Sequence, residues 1–262
     1  MKSLFSFVLL FTFIFHNQNL TAQEKTRELK LKLSLQMPEG TGTRGAAVAW
    51  NPALKLYYAA YGGNATFPMA VFNAQGKRIS NSDLETMVDL RSIWYNPITK
   101  NIEGNGYNDA GWVFYLLDRK GIPFEKNEII EGQHQPNEQS QGAFDYTTNS
   151  VYFFDGYGSV VVYDRSTGEE TKSIELTYDG NVADFSDFGT GIIYTNKSGA
   201  ELGLLNRTTM EVDFFNKNTG AFSYRLGLPS DTHIADFLSF SYANGFIWIL
   251  DDNTRMWNGF KL

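Results

Sequence analysis

The chain has 262 residues, no cysteine, and 29 acidic against 22 basic side chains, for a net charge of −7. A chain without cysteine has no disulfide framework, no thiol nucleophile and no thiolate metal site. An acidic balance does not suit a phosphate backbone, which excludes nucleic acid as a partner. Aromatic content of 15% and hydrophobic content of 42% supply a packed core and set the chain apart from disordered sequences.

In chain order, Lys2 precedes an apolar run from Leu4 to Phe15 and a polar stretch ending at Thr21-Ala22, the layout of a secretory signal peptide. The run is too short for a permanent membrane span, and no later run is long enough for one. Cleavage after Ala22 is therefore expected to leave a secreted or periplasmic domain over 23–262, with no transmembrane segment and as a monomer. It also removes His16, so that His134 and His233 remain, too few for a three-histidine zinc site.

Leu29, Leu31, Leu33, Leu35 and Met37 then alternate with Lys30, Lys32, Ser34 and Gln36. This is the pattern of a half-buried strand whose lysines guard an exposed edge, and Pro38 ends it. Ala47 to Pro52 matches Ser92 to Pro97, with weaker echoes at Ala143-Phe144-Asp145-Tyr146, Ala183-Asp184-Phe185 and Ala235-Asp236-Phe237. A further strand follows each: Leu56 to Ala60, Val151 to Phe154, Ile192 to Thr195 and Phe246 to Leu250. The corresponding stretch of the second unit, Asn101 to Tyr107, is too polar to assign from pattern alone. Ser82 to Val88 reads as a loop or a single helical turn.

A second motif recurs in phase with the first. An aromatic or Leu residue followed by Asn or Asp leads to a Gly turn at Phe72-Asn73 to Gly76, Leu117-Asp118 to Gly121, Tyr163-Asp164 to Gly168 and Phe215-Asn216 to Gly220. Asn and Gly tolerate the positive φ of tight hairpin turns. Units of about 40 to 50 residues, each with four strands, predict an all-β fold, a β-propeller of five four-stranded blades. The blades fall near 45–90, 91–140, 141–180, 181–232 and 233–262 plus 28–38, the N-terminal strand completing the C-terminal blade. Six blades is the alternative if the longer fourth unit hides a hairpin.

This repeat pattern resembles the broad superfamily of bacterial secreted propellers with NHL-like or YVTN-like repeats, which includes the gluconolactonase-like proteins. The resemblance implies a ligand site on the face where loops leading into the innermost strands meet loops joining second to third strands. That face would draw on Thr41 to Gly45, Asp89 to Arg91, His134 to Gln141, Asp179 to Asn181 and Asp231 to His233. The second loop set is Gly62 to Thr66, Tyr107 to Gly111, Gly156 to Gly158, Lys197 to Ala200 and Asp251 to Asn253. Across the two sets, Asn64, Arg91, Tyr107, Asp109, His134, Tyr157 and His233 are the candidate ligand-binding residues, since aromatic rings beside amides and charges suit a glycan or peptide.

Asp145, Asp184 and Asp236 fall at one repeat position in three consecutive units. Convergent carboxylates raise one another's pKa or recruit a hard cation, so these three are the candidate catalytic and Ca²⁺-binding residues. The alternative is that each bonds its own strand-entry turn. The Asp beside Asn-Pro that five-bladed glycosidases carry is missing at Trp50-Asn51-Pro52, and so is the gluconolactonase-like Glu before Gly-Pro. No nucleophile elbow occurs. The expectation is a secreted, non-catalytic binding or scaffold propeller recognising a protein, peptide or glycan through its loop face. A hydrolase or lactonase using the aspartates, with or without calcium, is the alternative.

Overall fold

The computed structural model describes residues 26–42, 44–182 and 184–262, so the expected signal segment lies outside the described residues. Strand β1 (Lys30–Gln36) leads the chain, followed by β2 (Arg44–Asn51), β3 (Leu56–Gly62) and β4 (Met69–Asn73) of blade 1. Blade 2 holds β5 (Leu90–Asn96), β6 (Asn101–Gly106), β7 (Trp112–Leu117) and β8 (Pro123–Ile130), and blade 3 holds β9 (Ala143–Asp145), β10 (Ser150–Phe154), β11 (Ser159–Asp164) and β12 (Glu170–Glu175). After a small hairpin, β13 (Thr177–Tyr178) and β14 (Asn181–Val182), blade 4 holds β15 (Phe188–Tyr194), β16 (Leu202–Asn206), β17 (Glu211–Phe215) and β18 (Phe222–Gly227). Blade 5 holds β19 (Phe240–Ala243), β20 (Phe246–Asp251) and β21 (Met256–Lys261).

Each blade is an antiparallel meander running outward from the axis, and five of them make a ring, a five-bladed β-propeller. β1 closes the ring by pairing with β21, from Lys30 opposite Lys261 to Gln36 opposite Met256. A shift in register between Leu31 and Leu33 interrupts the alternation, which is why Leu31 is half exposed while Leu35 and Met37 are buried. The extra length of the fourth unit is the β13–β14 hairpin, not a sixth blade. In blade 1 the outer position is filled irregularly, with Ile79 N donating to Val71 O at 2.8 Å and Met69 N to Leu84 O at 2.9 Å.

The core is divided into five wedges, one at each seam between blades. A sheet in such a ring has two apolar faces, and each is buried only by its neighbour, so the wedges carry most of the stabilisation. The repeated glycines sit at these seams. Gly76, Gly121 and Gly168 have φ of 78°, 81° and 69°, and a Cβ would meet Ser34 O at 2.8 Å, Leu54 and Leu56 at 2.7 Å, and His134 Nδ1 at 2.6 Å. At Gly220 it would run into the Glu175 carbonyl. Each of these four repeats therefore needs glycine twice over, for its turn and for the approach of the preceding blade.

Two assignments from pattern change. Ile192 to Thr195 ends the innermost strand of blade 4 instead of forming the second strand, which is Leu202–Asn206. Asp184-Phe185 and Ala235-Asp236-Phe237 precede their strands as connecting segments, Ala183 lying outside the described residues; Phe185 is buried against Phe154 and Phe215, which gives the segment its strand-like pattern. The polar stretch left unassigned in blade 2 is β6, whose Glu103 and Asn105 are fully buried with partners.

Candidate functional site

The five innermost strands surround a central channel with two dissimilar ends. At the end where these strands finish lies a cavity of about 380 Å³ walled by Trp50, Tyr95, Phe144, Tyr194 and Tyr242, one aromatic residue from each blade. Pro52, Tyr146, Asn196 and Asn244 form its exposed rim, and Val48, Ile93, Ile192, Ser92 and Ser241 lie deeper. Among the described residues, no Asp, Glu, Lys, Arg or His lines this cup. At the end where the strands begin, a second cavity of about 310 Å³ is lined by Gln139, Gln141, Ser186, Asp187, Arg207, Asp236 and Phe237 among others. The face expected to carry the site thus holds the smaller, charged cavity, and the aromatic cup opens on the opposite face.

The cup arises from a local rule. An aromatic residue ends each innermost strand, and an Asn or Asp just after it turns the chain. Asn51 Oδ1 accepts from Ala53 N at 3.0 Å, Asn96 Oδ1 from Ile98 N at 2.9 Å, and Asp145 Oδ1 from Thr147 N at 2.9 Å. The rings are held from behind. Trp50 packs 4.3 Å from Tyr57, whose hydroxyl accepts from Asn244 Nδ2 at 2.6 Å; Trp94 stacks on Phe144 at 5.9 Å; Tyr194 lies parallel to Tyr152 at 5.8 Å. Burial pushes the Tyr95 and Tyr242 hydroxyls up from their ordinary pKa. They stay neutral donors and acceptors at any physiological pH.

The charges near the cup are withdrawn into the seams behind it. Glu103 is fully buried and accepts from Arg165 Nε and Nη2 (3.0 and 2.7 Å), Asn96 Nδ2 (3.0 Å), Trp94 Nε1 (3.2 Å) and Thr99 Oγ1 (2.8 Å). Asp145, also fully buried, accepts from Lys217 Nζ at 2.6 Å and from the hydroxyls of Thr147 and Thr148 at 2.5 and 2.9 Å. Burial alone would raise the Asp145 pKa, but these donors outweigh it and hold the carboxyl at about 2. Burial likewise opposes charge on Lys217, yet its bonds to Asp145 and Tyr194 leave its pKa raised. In both pairs the cation follows the Asn or Asp of a Gly turn (Asp164-Arg165, Asn216-Lys217) and reaches to the preceding blade.

The three aspartates aligned by pattern are therefore not one cluster. Asp145 stands at the finishing end of its strand, equivalent to Asn51 and Asn96, and is fully paired. Asp184 is exposed on the other side and accepts from Ser186 N at 2.9 Å, which lowers its pKa. Asp236 is exposed too and pairs with Arg207 at 3.1 Å. The structure does not bring the three together, because the short apparent repeat spans opposite ends of the strand. Among the described residues, one group of potential metal ligands comes within 4.8 Å, His233 with Asp251 and Asp252; His233 is exposed and the two aspartates are half-buried, and His233 Nε2 lies 2.7 Å from Asp252 Oδ1.

The remaining candidates are dispersed. Asn64 is exposed and bonds its own turn at Thr66. Arg91 is buried, tied to Asp89 at 2.6 Å and stacked 4.4 Å over Tyr107, while Asp109 sits exposed in a one-turn 3₁₀ helix. The ring nitrogens of His134 lie 2.8 Å from the Gly168 and Glu131 carbonyl oxygens, a packing role at the seam. Tyr157 is 88% exposed. None of these residues lines the aromatic cup.

No protein-family model and no curated protein matches the sequence. Among solved structures, glutaminyl cyclase of Myxococcus xanthus superposes with a TM-score of 0.57 at 6% identity, over 90% of this chain and 96% of that one. Chains of a nidogen/laminin complex (TM-score 0.43, 12% identity, 70% of this chain and 63% of that one) and of a mitotic checkpoint complex (0.49, 9%, 99% of each) also align. The likeness to the cyclase is one of fold, and what this chain shares with it is the β-propeller.

Proposed function

We propose that the protein is a secreted, non-catalytic binding propeller whose ligand is a neutral glycan seated in the aromatic cup. The observation that carries this reading is the cup's composition: an aromatic ring from every blade, hydroxyls and amides at wall and rim, tyrosines whose pKa burial raises, and, among the described residues, no carboxylate, amine, guanidinium or imidazole. Flat rings complement the apolar faces of sugars, while Asn196, Asn244 and the Tyr hydroxyls suit their edges. An ionic ligand would find no counter-charge there. General acid–base chemistry needs titratable groups in contact with the substrate, and the buried carboxylates behind the walls are already occupied by Arg165 and Lys217. Export rests on the N-terminal pattern, and kinship with the NHL-like and YVTN-like propellers rests on the repeat alone.

Titration calorimetry with linear neutral gluco-, xylo-, manno- and galacto-oligosaccharides, alongside uronic-acid counterparts, tests the reading. Binding of a neutral member, weakened at least tenfold by Trp50→Ala with an unchanged melting temperature, is the expected result. Preference for the anionic series, or indifference to Trp50→Ala, would sink it.

A further inference from the structure

The segment between blades 2 and 3, Glu131 to Gln141, reads in sequence as a solvated, Gln-rich loop, but its end is built into the channel. Gln141 is 3% exposed. It comes from blade 3, and its Nε2 donates across the axis to Ala46 O of blade 1 at 2.7 Å. Its Oε1 lies where only the bare glycine Gly191 of blade 4 leaves room, 2.6 Å from an ideal Cβ. Blades 1 and 3 are not neighbours, so this bond is a crossbar through the channel. A latch holds the bar in place: Asn105 of blade 2, fully buried, donates to Gln135 Oε1 at 2.6 Å and Ser140 O at 2.8 Å, and accepts from Gly142 N at 3.3 Å. Just beneath, Ser92 Oγ donates to Gly142 O at 2.7 Å, and Ser241 Oγ bridges the backbone of Val48. The aromatic cup is lined by Gly142 and Ala143 but not by Gln141, and the charged cavity is lined by Gln141 on its far side. The Gln141 Nε2, the Asn105 and Gln135 amides and the Ser92 and Ser241 hydroxyls all have partners in the partition, so it costs much to open.

We infer that the cup is a blind site that captures a glycan by its terminus. This rests on the reading of the cup as a neutral-glycan site and adds its mode of binding. A chain entering between Trp50 and Tyr194 meets the Gln141 partition and cannot thread onward. At about 380 Å³ the cup is also near the small end of ligand pockets, roughly 300–1,000 Å³. It therefore holds a terminal stretch, with the rest of the chain leaving past the rim at Tyr146 and Asn244.

Stoichiometry on the intact protein tests this. Calorimetry with the best neutral oligosaccharide of the panel, and with its polymers of increasing length, should give a fixed number of protein molecules per chain at every length. The same oligosaccharide blocked at both ends with bulky groups should bind at least tenfold more weakly. Bound protein that rises in proportion to chain length, or equal binding of the doubly blocked oligosaccharide, overturns terminal capture and leaves the glycan reading standing. Saccharide binding that neither Trp50→Ala nor the rim variant Tyr146→Ala weakens overturns both. Tyr146 is 43% exposed, so its variant keeps the test valid if Trp50→Ala fails to fold.

Discussion

The two ends of the channel are built from the same five strands and differ in where their charges go. At the finishing end, Glu103 and Asp145 are drawn behind aromatic walls and paired across seams, leaving a neutral cup. At the beginning end, Asp184, Asp187 and Asp236 stay in water, and Arg207 shares the cavity with Asp187 and Asp236. Charge in a repeat protein can thus be structural cement or solvated surface, and the position along the strand separates the two. A buried pair broken on one side leaves an uncompensated charge in low dielectric, whereas an exposed pair is screened.

The largest effect that this contrast predicts is at Glu103. Glu103→Ala strands the Arg165 guanidinium and the Trp94 indole N–H at the blade 2–blade 3 seam, and should cost about 3–5 kcal/mol in denaturant unfolding. A loss below 1 kcal/mol would show that the seam tolerates an unpaired cation and would remove the contrast.

Asp145 should come next, and its effect depends on pH. Its folded pKa of about 2 lies below the ordinary value of about 3.9 for an unfolded chain, so its contribution is fully present above pH 4 and drains away as pH falls toward 2. The size is about 2 kcal/mol. In Asp145→Asn the unfolding free energy should be lower at neutral pH and flatter between pH 4 and 2 than in the parent. Parallel pH profiles for the two would contradict the Lys217 pairing.

At the cup itself, Trp50→Ala should weaken glycan binding about tenfold, equal to ~1.4 kcal/mol, and Tyr146→Ala about threefold to tenfold, in line with the 0.5–1.5 kcal/mol of a ring contact. The smallest effects belong to the beginning end. Asp184→Asn and Asp236→Asn should each change stability by less than about 0.5 kcal/mol, and millimolar Ca²⁺ should leave the melting temperature of the parent where it was. A clear rise with Ca²⁺, lost in Asp236→Asn, would mean that the exposed end is the ionic site after all.

Several of these residues had a sequence signal that was readable in part. The aromatic-Asn step at Trp50-Asn51 and Tyr95-Asn96 marks the strand end that forms the cup wall, and the cation after Asp164 and Asn216 marks the seam ties. Asp145 looked like the fellow of Asp184 and Asp236 because Ala and Phe recur beside all three. The physical alignment follows the Asx turn, which pairs Asp145 with Asn51 and Asn96 instead. Asn105 and Glu103 gave no apolar pattern at all, since burial there is supported by hydrogen bonds that a hydrophobicity reading does not register.

By itself the sequence determined the strand-and-turn period, the five units, the glycines at their turns and the closure of the ring by the N-terminal strand. These follow from side-chain alternation and turn chemistry, which act over a few residues and repeat along the chain. Tertiary structure alone decided which end of the channel became a neutral cup, which carboxylates were silenced and where the channel was barred. Those outcomes rest on bonds between residues far apart in the chain, Lys217 to Asp145 across 72 positions and Gln141 to Ala46 across 95. Only the packing of blade on blade and the closure of the ring around its axis bring such groups within hydrogen-bonding distance.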